Sequence, residues 1–204
     1  MTEPTVRDFT QAIHGAPEAV FRLLCPVREG EWLDGWAEAC TLVWSASGVA
    51  EPGCVFRTAG SGGPDATWVI TTHDIAHRVV EFAQFVGDYS VVTLRIEVAD
   101  AGSGSAVAIR YTATPIDVAG AAWVGHAYAQ GAFDQRMRWW EQSMNHFLAT
   151  GTMLRAPTAG SESSPAVPRP SPSEGAPAPA GGSAGQGRPL RTDGAGSPEA
   201  RGNR

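Results

Sequence analysis

The alternation of apolar and polar positions is most regular in residues 90–99. Every second residue from Val92 to Val98 is a large aliphatic and the residues between them are polar, which is the pattern of a half-buried strand. Shorter stretches with the same character, bounded by Gly, Pro, Asp or Ser, occur through most of the chain before residue 115. They predict seven strands, at about residues 6–13, 39–47, 54–58, 67–74, 78–86, 90–99 and 106–114.

A helical period replaces the alternation after Pro115. Large apolar residues then recur at steps of four, three, four and three, at Phe133, Met137, Trp140, Met144 and Phe147. This spacing predicts one long amphipathic helix over about residues 127–150, with Gly151 as a left-handed C-cap. The polar residues Asp134, Arg138, Glu141 and Asn145 are expected on its opposite face.

Two short helices are predicted between the first and second strands. Pro17 suits the first position of a helix and Glu18 suits its positive end, while Pro26 ends it. A second short helix is expected at about residues 28–33. The resulting order contains no strand–helix–strand alternation of the kind that makes parallel sheets. It predicts an α+β, helix-grip fold, in which a curved antiparallel β-sheet wraps around a long C-terminal α-helix.

Composition divides the chain at about residue 155. Every aromatic residue lies before residue 150, and the remainder is rich in Pro, Gly, Ser and Ala. Such a segment cannot bury enough apolar surface to offset its loss of conformational entropy on folding. We therefore expect one folded domain over residues 1–155 and a disordered tail over residues 156–204.

Charge and hydropathy exclude several classes of partner. The net charge is −6 and every basic side chain is Arg, so Schiff-base chemistry and a P-loop lysine are excluded. The acidic domain offers no basic patch for nucleic acid. No segment reaches the roughly 18 apolar residues that a membrane span needs, and residues 1–7 do not resemble a signal peptide. We expect a cytoplasmic protein with no membrane span.

The residues that often hold metals or act as nucleophiles are scattered. The three cysteines are widely spaced, which favours buried reduced thiols, at Cys25, Cys40 and Cys54. His73 and Asp74 point to opposite faces of a continuing strand and His77 lies in a turn, so a solvated turn is favoured over a metal site. Triads, dinucleotide motifs and phosphate loops are absent from the sequence. We predict no metal and no cofactor, and the catalytic residues, if any, stay unknown.

Several local motifs resemble a poorly characterised bacterial branch of the SRPBCC superfamily, which includes START lipid-transfer domains, birch-pollen-allergen-like proteins and polyketide aromatase/cyclases. The likeness covers about residues 6–154, and the segments that carry it are 16–21, 25–29, 32–36, 47–51, 53–56 and 144–151. The resemblance implies a cavity between the concave face of the sheet and the long helix. Members of the superfamily bind lipids, hormones or polyketides, and only some are enzymes.

Candidate lining residues follow from the faces of the predicted elements. Trp32 and Trp36 are expected either to fix the short helices onto the sheet as a hydrophobic clamp or to lie at the cavity mouth, and Thr72 is expected on the same strand face as Trp68 and Ile70. The residues predicted to line the cavity are Trp32, Trp36, Phe56, Trp68, Ile70, Thr72, Phe82, Gln84, Leu94, Tyr111, Phe133, Met137, Trp140 and Met144. The expected cavity volume is roughly 300–1,000 Å³, as for other small-molecule sites.

The leading functional hypothesis is the binding or carrying of a small hydrophobic molecule by a monomer or weak homodimer. One alternative is a metal-free aromatase/cyclase-like or hydratase-like enzyme, in which Tyr111, Gln84 or Arg57 polarises a carbonyl group. Another is a protein-interaction module of the cochaperone type. A catalyst needs at least two polar groups that converge in the cavity, whereas an interaction module needs an exposed apolar patch.

Overall fold

The computed structural model describes residues 3–60 and 63–157, and one seven-stranded antiparallel sheet dominates these residues. The predicted tail lies almost wholly outside the described residues. The strands are β1 (Thr5–Ile13), β2 (Cys40–Trp44), β3 (Val55–Thr58), β4 (Ala66–Asp74), β5 (Val79–Val86), β6 (Ser90–Asp100) and β7 (Ser105–Pro115). Each predicted strand is therefore present, with bounds that differ by a few residues.

The strand order is β1-β7-β6-β5-β4-β3-β2. Strands β2 to β7 form a meander, because each pairs with the next in the chain, and β1 joins the sheet by pairing with β7. This order places β1 and β2 at opposite edges. The sheet curves around a long C-terminal helix, so the α+β helix-grip arrangement predicted from the sequence is confirmed.

In the described part of the chain, four α-helices and one 3₁₀ turn accompany the sheet, namely α1 (Pro17–Leu23), the 3₁₀ turn (Glu29–Glu31), α2 (Trp36–Ala39), α3 (Val118–Ala127) and α4 (Gln130–Thr150). The second short helix, predicted at residues 28–33, is only this one 3₁₀ turn. Helix α3 was not predicted, because its sequence of small residues has no apolar stripe. Its N-cap is Asp117, whose side chain accepts a hydrogen bond from the backbone N–H of Gly120 at 2.7 Å.

Helix α4 packs its apolar stripe into the sheet. Phe133, Met137 and Met144 are at most 1% exposed, whereas Trp140 is half-buried. The face predicted to be polar also contacts the sheet. The side-chain amide of Asn145 donates to the backbone carbonyl of Ala12 at 2.9 Å, and its oxygen accepts from the backbone N–H of His14 at 2.7 Å. Gly151 ends the helix with φ of +69° and donates to Phe147, as its predicted capping role requires.

Two indole rings hold the segment between α1 and β2 in place. The indole N–H of Trp32 donates to the carbonyl of Leu23 at 3.0 Å, and that of Trp36 donates to the carbonyl of Pro26 at 2.7 Å. The first of these bonds satisfies a carbonyl group that the end of α1 leaves free. Trp32 is only 1% exposed, so it anchors the chain in the core and does not lie at a cavity mouth.

A β-bulge in β4 changes the facing of one predicted site residue. The pairing with β5 shifts between Ile70 and Thr72, so the alternation that buries Trp68 and Ile70 does not continue to Thr72. The hydroxyl of Thr72 instead donates to the carboxylate of Glu81 at 2.8 Å. The prediction that Thr72 shares the inner face of β4 is therefore wrong.

Candidate ligand cavity

A cavity of about 370 Å³ lies between the concave face of the sheet and helices α3 and α4. Strands β3 to β7 form its floor, and α4 and the 3₁₀ turn close it from the other side. Its lining residues are Glu29, Leu33, Trp36, Phe56, Thr58, Ala59, Gly60, Pro64, Ala66, Trp68, Phe82, Gln84, Val86, Leu94, Ile96, Tyr111, Trp123, Ala127, Tyr128, Arg136 and Trp140. Most of these side chains are apolar.

One wall consists of packed aromatic rings from neighbouring strands. Phe56 on β3 stacks on Trp68 on β4, with ring centroids 5.5 Å apart, and both meet the edge of Phe82 on β5. The rings face inward because each residue occupies a buried position of an alternating strand. The indole N–H of Trp68 donates to the hydroxyl of Thr58 at 3.0 Å, which fixes its orientation. This wall offers rigid flat surface to a ring compound.

A second group of rings lies under α3 and α4. The ring of Tyr111 on β7 is 5.8 Å from that of Tyr128 and 5.6 Å from that of Phe133. Trp123 on α3 meets Tyr128 edge to face at 6.1 Å. Tyr128 follows α3 directly, so the turn between the two helices delivers a phenol group into the cavity.

Glu29 is the most unusual lining residue, because its side chain is carried by the 3₁₀ turn into the apolar interior. It is 8% exposed, and its carboxyl forms no hydrogen bond or ion pair with any described residue. Burial raises the pKa of Glu29 from 4.5 to about 8, so the group is protonated at neutral pH. A buried carboxyl without a partner destabilises the fold, and such groups concentrate at functional sites.

Tyr111 and Arg136 supply two further polar groups to the same space. The Tyr111 hydroxyl has no hydrogen-bond partner among the described residues, and burial raises its pKa while the nearby charge of Arg136 opposes that rise. The Arg136 guanidinium carbon lies 5.6 Å from the ring centroids of both Tyr128 and Phe133. This half-buried arginine forms no ion pair within residues 3–60 and 63–157.

Gln84 and Tyr128 complete the polar part of the lining. The Tyr128 hydroxyl points to the Gln84 side-chain oxygen at 3.5 Å, which is the outer limit of a hydrogen bond. Burial raises the pKa of Tyr128 to about 12, so the phenol stays protonated. The contact between the two groups is weak enough for a ligand to replace it.

The most exposed lining residues mark the side from which the cavity opens. Ala59 and Gly60 in the β3–β4 loop are exposed, and Trp123 and Ala127 on α3 are half-buried. Because the other lining positions are mostly buried, the opening lies between this loop and α3. The opening is not formed by Trp32, which was considered for the cavity mouth in the sequence analysis.

Comparison with known proteins gives matches in structure alone. No protein-family model and no curated protein sequence matches the chain. Three similar solved structures each match 72% of this chain. Ara h 8.0201 is 15% identical with a TM-score of 0.53 and is covered to 99% of its length, and norcoclaurine synthase from Thalictrum flavum is 10% identical with a TM-score of 0.55 and is covered to 87%. DynU16 of the dynemicin biosynthetic locus is 12% identical with a TM-score of 0.50, and the match covers 48% of its length. At these identities the matches show the fold alone, and that fold is the helix-grip fold.

Within this fold, the predicted lining residues divide into two groups. Those that line the cavity are Trp36, Phe56, Trp68, Phe82, Gln84, Leu94, Tyr111 and Trp140. Those that lie outside it are Trp32, Ile70, Thr72, Phe133, Met137 and Met144. Except for Thr72, the second group is buried and fills the core next to the cavity. Arg57, considered as a carbonyl-polarising group, is exposed and does not contact the cavity.

Sequence reasoning missed Glu29, Arg136 and Tyr128. Glu29 lies in a run with Arg28 and Glu31, which form an exposed ion pair at 2.8 Å, and the run reads as a charged surface turn. Arg136 adjoins the apolar stripe of α4 but does not belong to it. A signal that the sequence does offer is the position of Glu29 between two apolar residues, Pro26 and Trp32.

The His, Asp and Cys side chains considered for metal binding or thiol chemistry take part in packing or in a turn. His73 stacks on Phe21 with ring centroids 5.2 Å apart, and burial lowers its pKa. Asp74 and His77 pair with each other in the turn at 2.7 Å. All three cysteines are free, and burial raises the pKa of Cys40 to about 11. Among the described residues, no cluster of His, Cys, Asp and Glu could hold a metal ion.

None of the described helices combines the length and apolar character needed to cross a membrane.

Proposed function

We propose that the protein binds a small, largely apolar ring compound in this cavity. The observation that carries the proposal is a cavity of about 370 Å³ bounded by the stacked rings of Phe56 and Trp68. Sites for small molecules have this size and this mixture of apolar walls and few polar groups. In the same fold, norcoclaurine synthase was crystallised with dopamine and hydroxybenzaldehyde, two ring compounds.

The wall of aromatic rings supports the binding of an apolar ligand without a specific ion pair. Removing apolar surface from water contributes about 25 cal/mol per Å², before the loss of ligand freedom is subtracted. The rings of Phe56, Trp68 and Phe82 are already held by one another, so little ordering is needed when a ligand arrives. We expect dissociation constants in the micromolar range, which corresponds to about −8 kcal/mol.

The first experiment is a binding screen with a matched pair of variants. Calorimetry with flavone, 2-acetylnaphthalene and decanoate should give saturable binding for at least one ring compound. Native mass spectrometry of freshly purified protein should show any molecule that co-purifies. Ala127→Phe places a ring at the half-buried cavity opening, and Ala122→Phe places the same ring on the exposed face of the same helix.

Binding should be lost in Ala127→Phe and retained in Ala122→Phe, with both variants folded by circular dichroism. Equal binding by the two variants would place the ligand elsewhere on the protein. If no compound in a broad panel binds the wild type, the proposal is wrong.

A metal-free enzyme is the second candidate, and the unpaired carboxyl of Glu29 favours it. A catalyst that polarises a carbonyl needs at least two convergent polar groups, and Glu29 and Tyr111 both offer hydrogen-bond donors to the cavity. Incubation of each bound ring ketone with the protein, followed by mass spectrometry, tests for a product. Loss of product in Glu29→Gln with unchanged binding would support catalysis, and absence of product would leave binding alone.

The interaction-module alternative rests on a smaller feature. Leu42, Val43 and Trp44 on edge strand β2 are 40%, 54% and 55% exposed. They occupy a single short strand, whereas the cavity draws aromatic side chains from several elements. The cavity is therefore the better supported site.

A further inference from the structure

Three polar groups in the cavity lack the partners that buried polar groups normally have. Glu29 and Tyr111 are 8% and 4% exposed and form no side-chain hydrogen bond within the described residues. Arg136 lies against two aromatic rings, but it forms no ion pair with a carboxylate of the described residues. They come from the 3₁₀ turn, β7 and α4, so three separate elements place polar groups at one cavity. We call Glu29, Tyr111 and Arg136 the donor group.

These residues act as hydrogen-bond donors at neutral pH. Arginine stays charged at any ordinary pH, and the phenol of Tyr111 stays protonated because burial raises its pKa. Glu29 is also protonated, since burial raises its pKa to about 8. The donor group therefore presents two O–H donors and one cation, and it lacks a matching acceptor.

We propose that the cavity is selective for an aromatic carboxylate, whose ring packs on the aromatic wall and whose carboxylate accepts hydrogen bonds from the donor group. This inference rests on the proposed function, because it names the chemical class of the ligand bound there. A carboxylate is the simplest group that supplies both the missing acceptors and the charge that Arg136 lacks.

The surroundings of Arg136 prepare it for an anion. Its guanidinium lies against the faces of Tyr128 and Phe133, so its position is set by packing before a ligand binds. A planar guanidinium held in this way can donate two parallel bonds to one carboxylate. The protonated Glu29 adds a donor, whereas an ionised Glu29 would repel the ligand. Binding of the anion and ionisation of Glu29 therefore oppose each other.

Four groups near Glu29 do not offer an alternative source of this pH dependence. They are Tyr111 on β7, Cys40 on β2, and Arg136 and Tyr128, which line the same cavity, whereas Cys25 contacts Glu29 through its backbone carbonyl. The pKa of Tyr111, Tyr128 and Cys40 is raised by burial, so these groups stay neutral at pH 8. Arg136 stays charged throughout.

The test uses four probes that share one ring system and differ in one substituent. They are 2-naphthoate, 2-acetylnaphthalene, naphthalene and 2-(aminomethyl)naphthalene, measured by calorimetry against the wild-type protein at pH 6.5. Hydrogen bonds to charged groups contribute about 1.5–3 kcal/mol, so 2-naphthoate should bind about 10- to 100-fold more tightly than the ketone. The amine should bind most weakly, because Arg136 repels it.

Variants and pH then assign the selectivity to individual residues. Arg136→Met should remove the preference for 2-naphthoate over the ketone, whereas Arg138→Met, on the exposed face of α4, should keep it. For the wild type, affinity for 2-naphthoate should fall above pH 8 by up to about tenfold per pH unit, since one proton is linked to binding. Glu29→Gln should abolish that fall, and Glu31→Gln in the same turn should not.

The outcomes separate the two proposals. If the ketone binds as tightly as 2-naphthoate, or the amine binds most tightly, the donor group does not select a carboxylate, although ring binding in the cavity stands. If none of the four probes or the screening compounds binds the wild type, the proposed function fails together with this inference. The wild-type series decides the question even if Arg136→Met does not fold.

Discussion

Glu29 couples the stability of the protein to pH, because burial raises the pKa of its carboxyl from 4.5 to about 8. Between these values the folded protein holds a proton that the unfolded chain has released, so the free energy of unfolding falls as pH rises. Below pH 4.5 the carboxyl is protonated in both the folded and the unfolded state, so its burial causes no pH-dependent loss of stability. Above about pH 8 the loss of stability has reached its full size. The full shift corresponds to at most about 5 kcal/mol.

We therefore expect Glu29→Gln to gain stability relative to wild type as pH rises. The difference between the two proteins in urea unfolding should grow by a few kcal/mol from pH 5 to pH 9, up to about 5 kcal/mol. Glu31→Gln is the matched control, because the Glu31 pKa is lowered by its hydrogen bond to Arg28 and the side chain is exposed. A difference that does not change with pH would show that Glu29 titrates as an ordinary carboxyl.

Strand alternation was enough to predict which strand residues face the interior at Phe56, Trp68 and Tyr111, but it could not predict the polar groups that other elements bring to the cavity. Phe56, Trp68 and Tyr111 are inner-face positions of regular strands, so their burial follows from local pattern. Glu29 and Arg136 enter the cavity through a 3₁₀ turn and from beside the stripe of a helix. Whether these two side chains reach the cavity depends on how separate helices and strands pack against one another. Neither the hydrophobic period of the sequence nor the residue type shows this.

At the scale of elements, α4 shows which part of an apolar stripe stabilises the core. Met137 is completely buried and its backbone carbonyl accepts a hydrogen bond from the side-chain amide of Gln11 at 2.7 Å, whereas Trp140 borders the cavity. Met137→Ala should destabilise the protein by about 2–5 kcal/mol, because it leaves a void in a packed core. Arg138→Ala on the exposed side should change stability by less than about 0.5 kcal/mol in the same urea titration. Similar losses would mean that the stripe is not the packed face.

Helix α3 depends on its first turn, because its own sequence has little helix-specific packing. The Asp117 carboxylate accepts from the N–H of Gly120, which is one of the free donors at the helix start. Asp117→Ala should lower the free energy of unfolding by about 1 kcal/mol, and Asp117→Asn should lose much less because its side-chain oxygen can still accept. Equal losses in urea unfolding would show that the cap bond is not the stabilising feature.

The bulge in β4 marks the limit of strand prediction. A period of two assumes that one residue faces one partner, and the shifted pairing between Ile70 and Thr72 breaks that assumption. The sequence Ile-Thr-Thr-His has no glycine or proline to signal it. As a result, residues before the bulge were assigned to the correct face, whereas Thr72 was not.

At the scale of the whole molecule, element order was enough to predict the helix-grip fold. Seven strands, no parallel crossover and one long final helix leave few ways to bury a single apolar sheet face. The size and chemistry of the interior were less predictable, because they depend on the curvature of the sheet and on α3. The cavity is bordered by Trp123 and Ala127 of that helix, which was not predicted.

Ligand binding should stabilise the whole fold, since the cavity draws side chains from strands β3 to β7 and from the final helix. A ligand that binds only the folded state raises the free energy of unfolding by RT ln(1 + [L]/Kd), or about 1.4 kcal/mol at ten times Kd. With 2-acetylnaphthalene at that concentration, Tm should rise by roughly 3–5 °C for a domain of this size. Differential scanning fluorimetry should show this rise in the wild type and in Ala122→Phe, but not in Ala127→Phe. A rise in all three proteins would place binding outside the cavity, and a fall in Tm would mean that the probe prefers the unfolded chain.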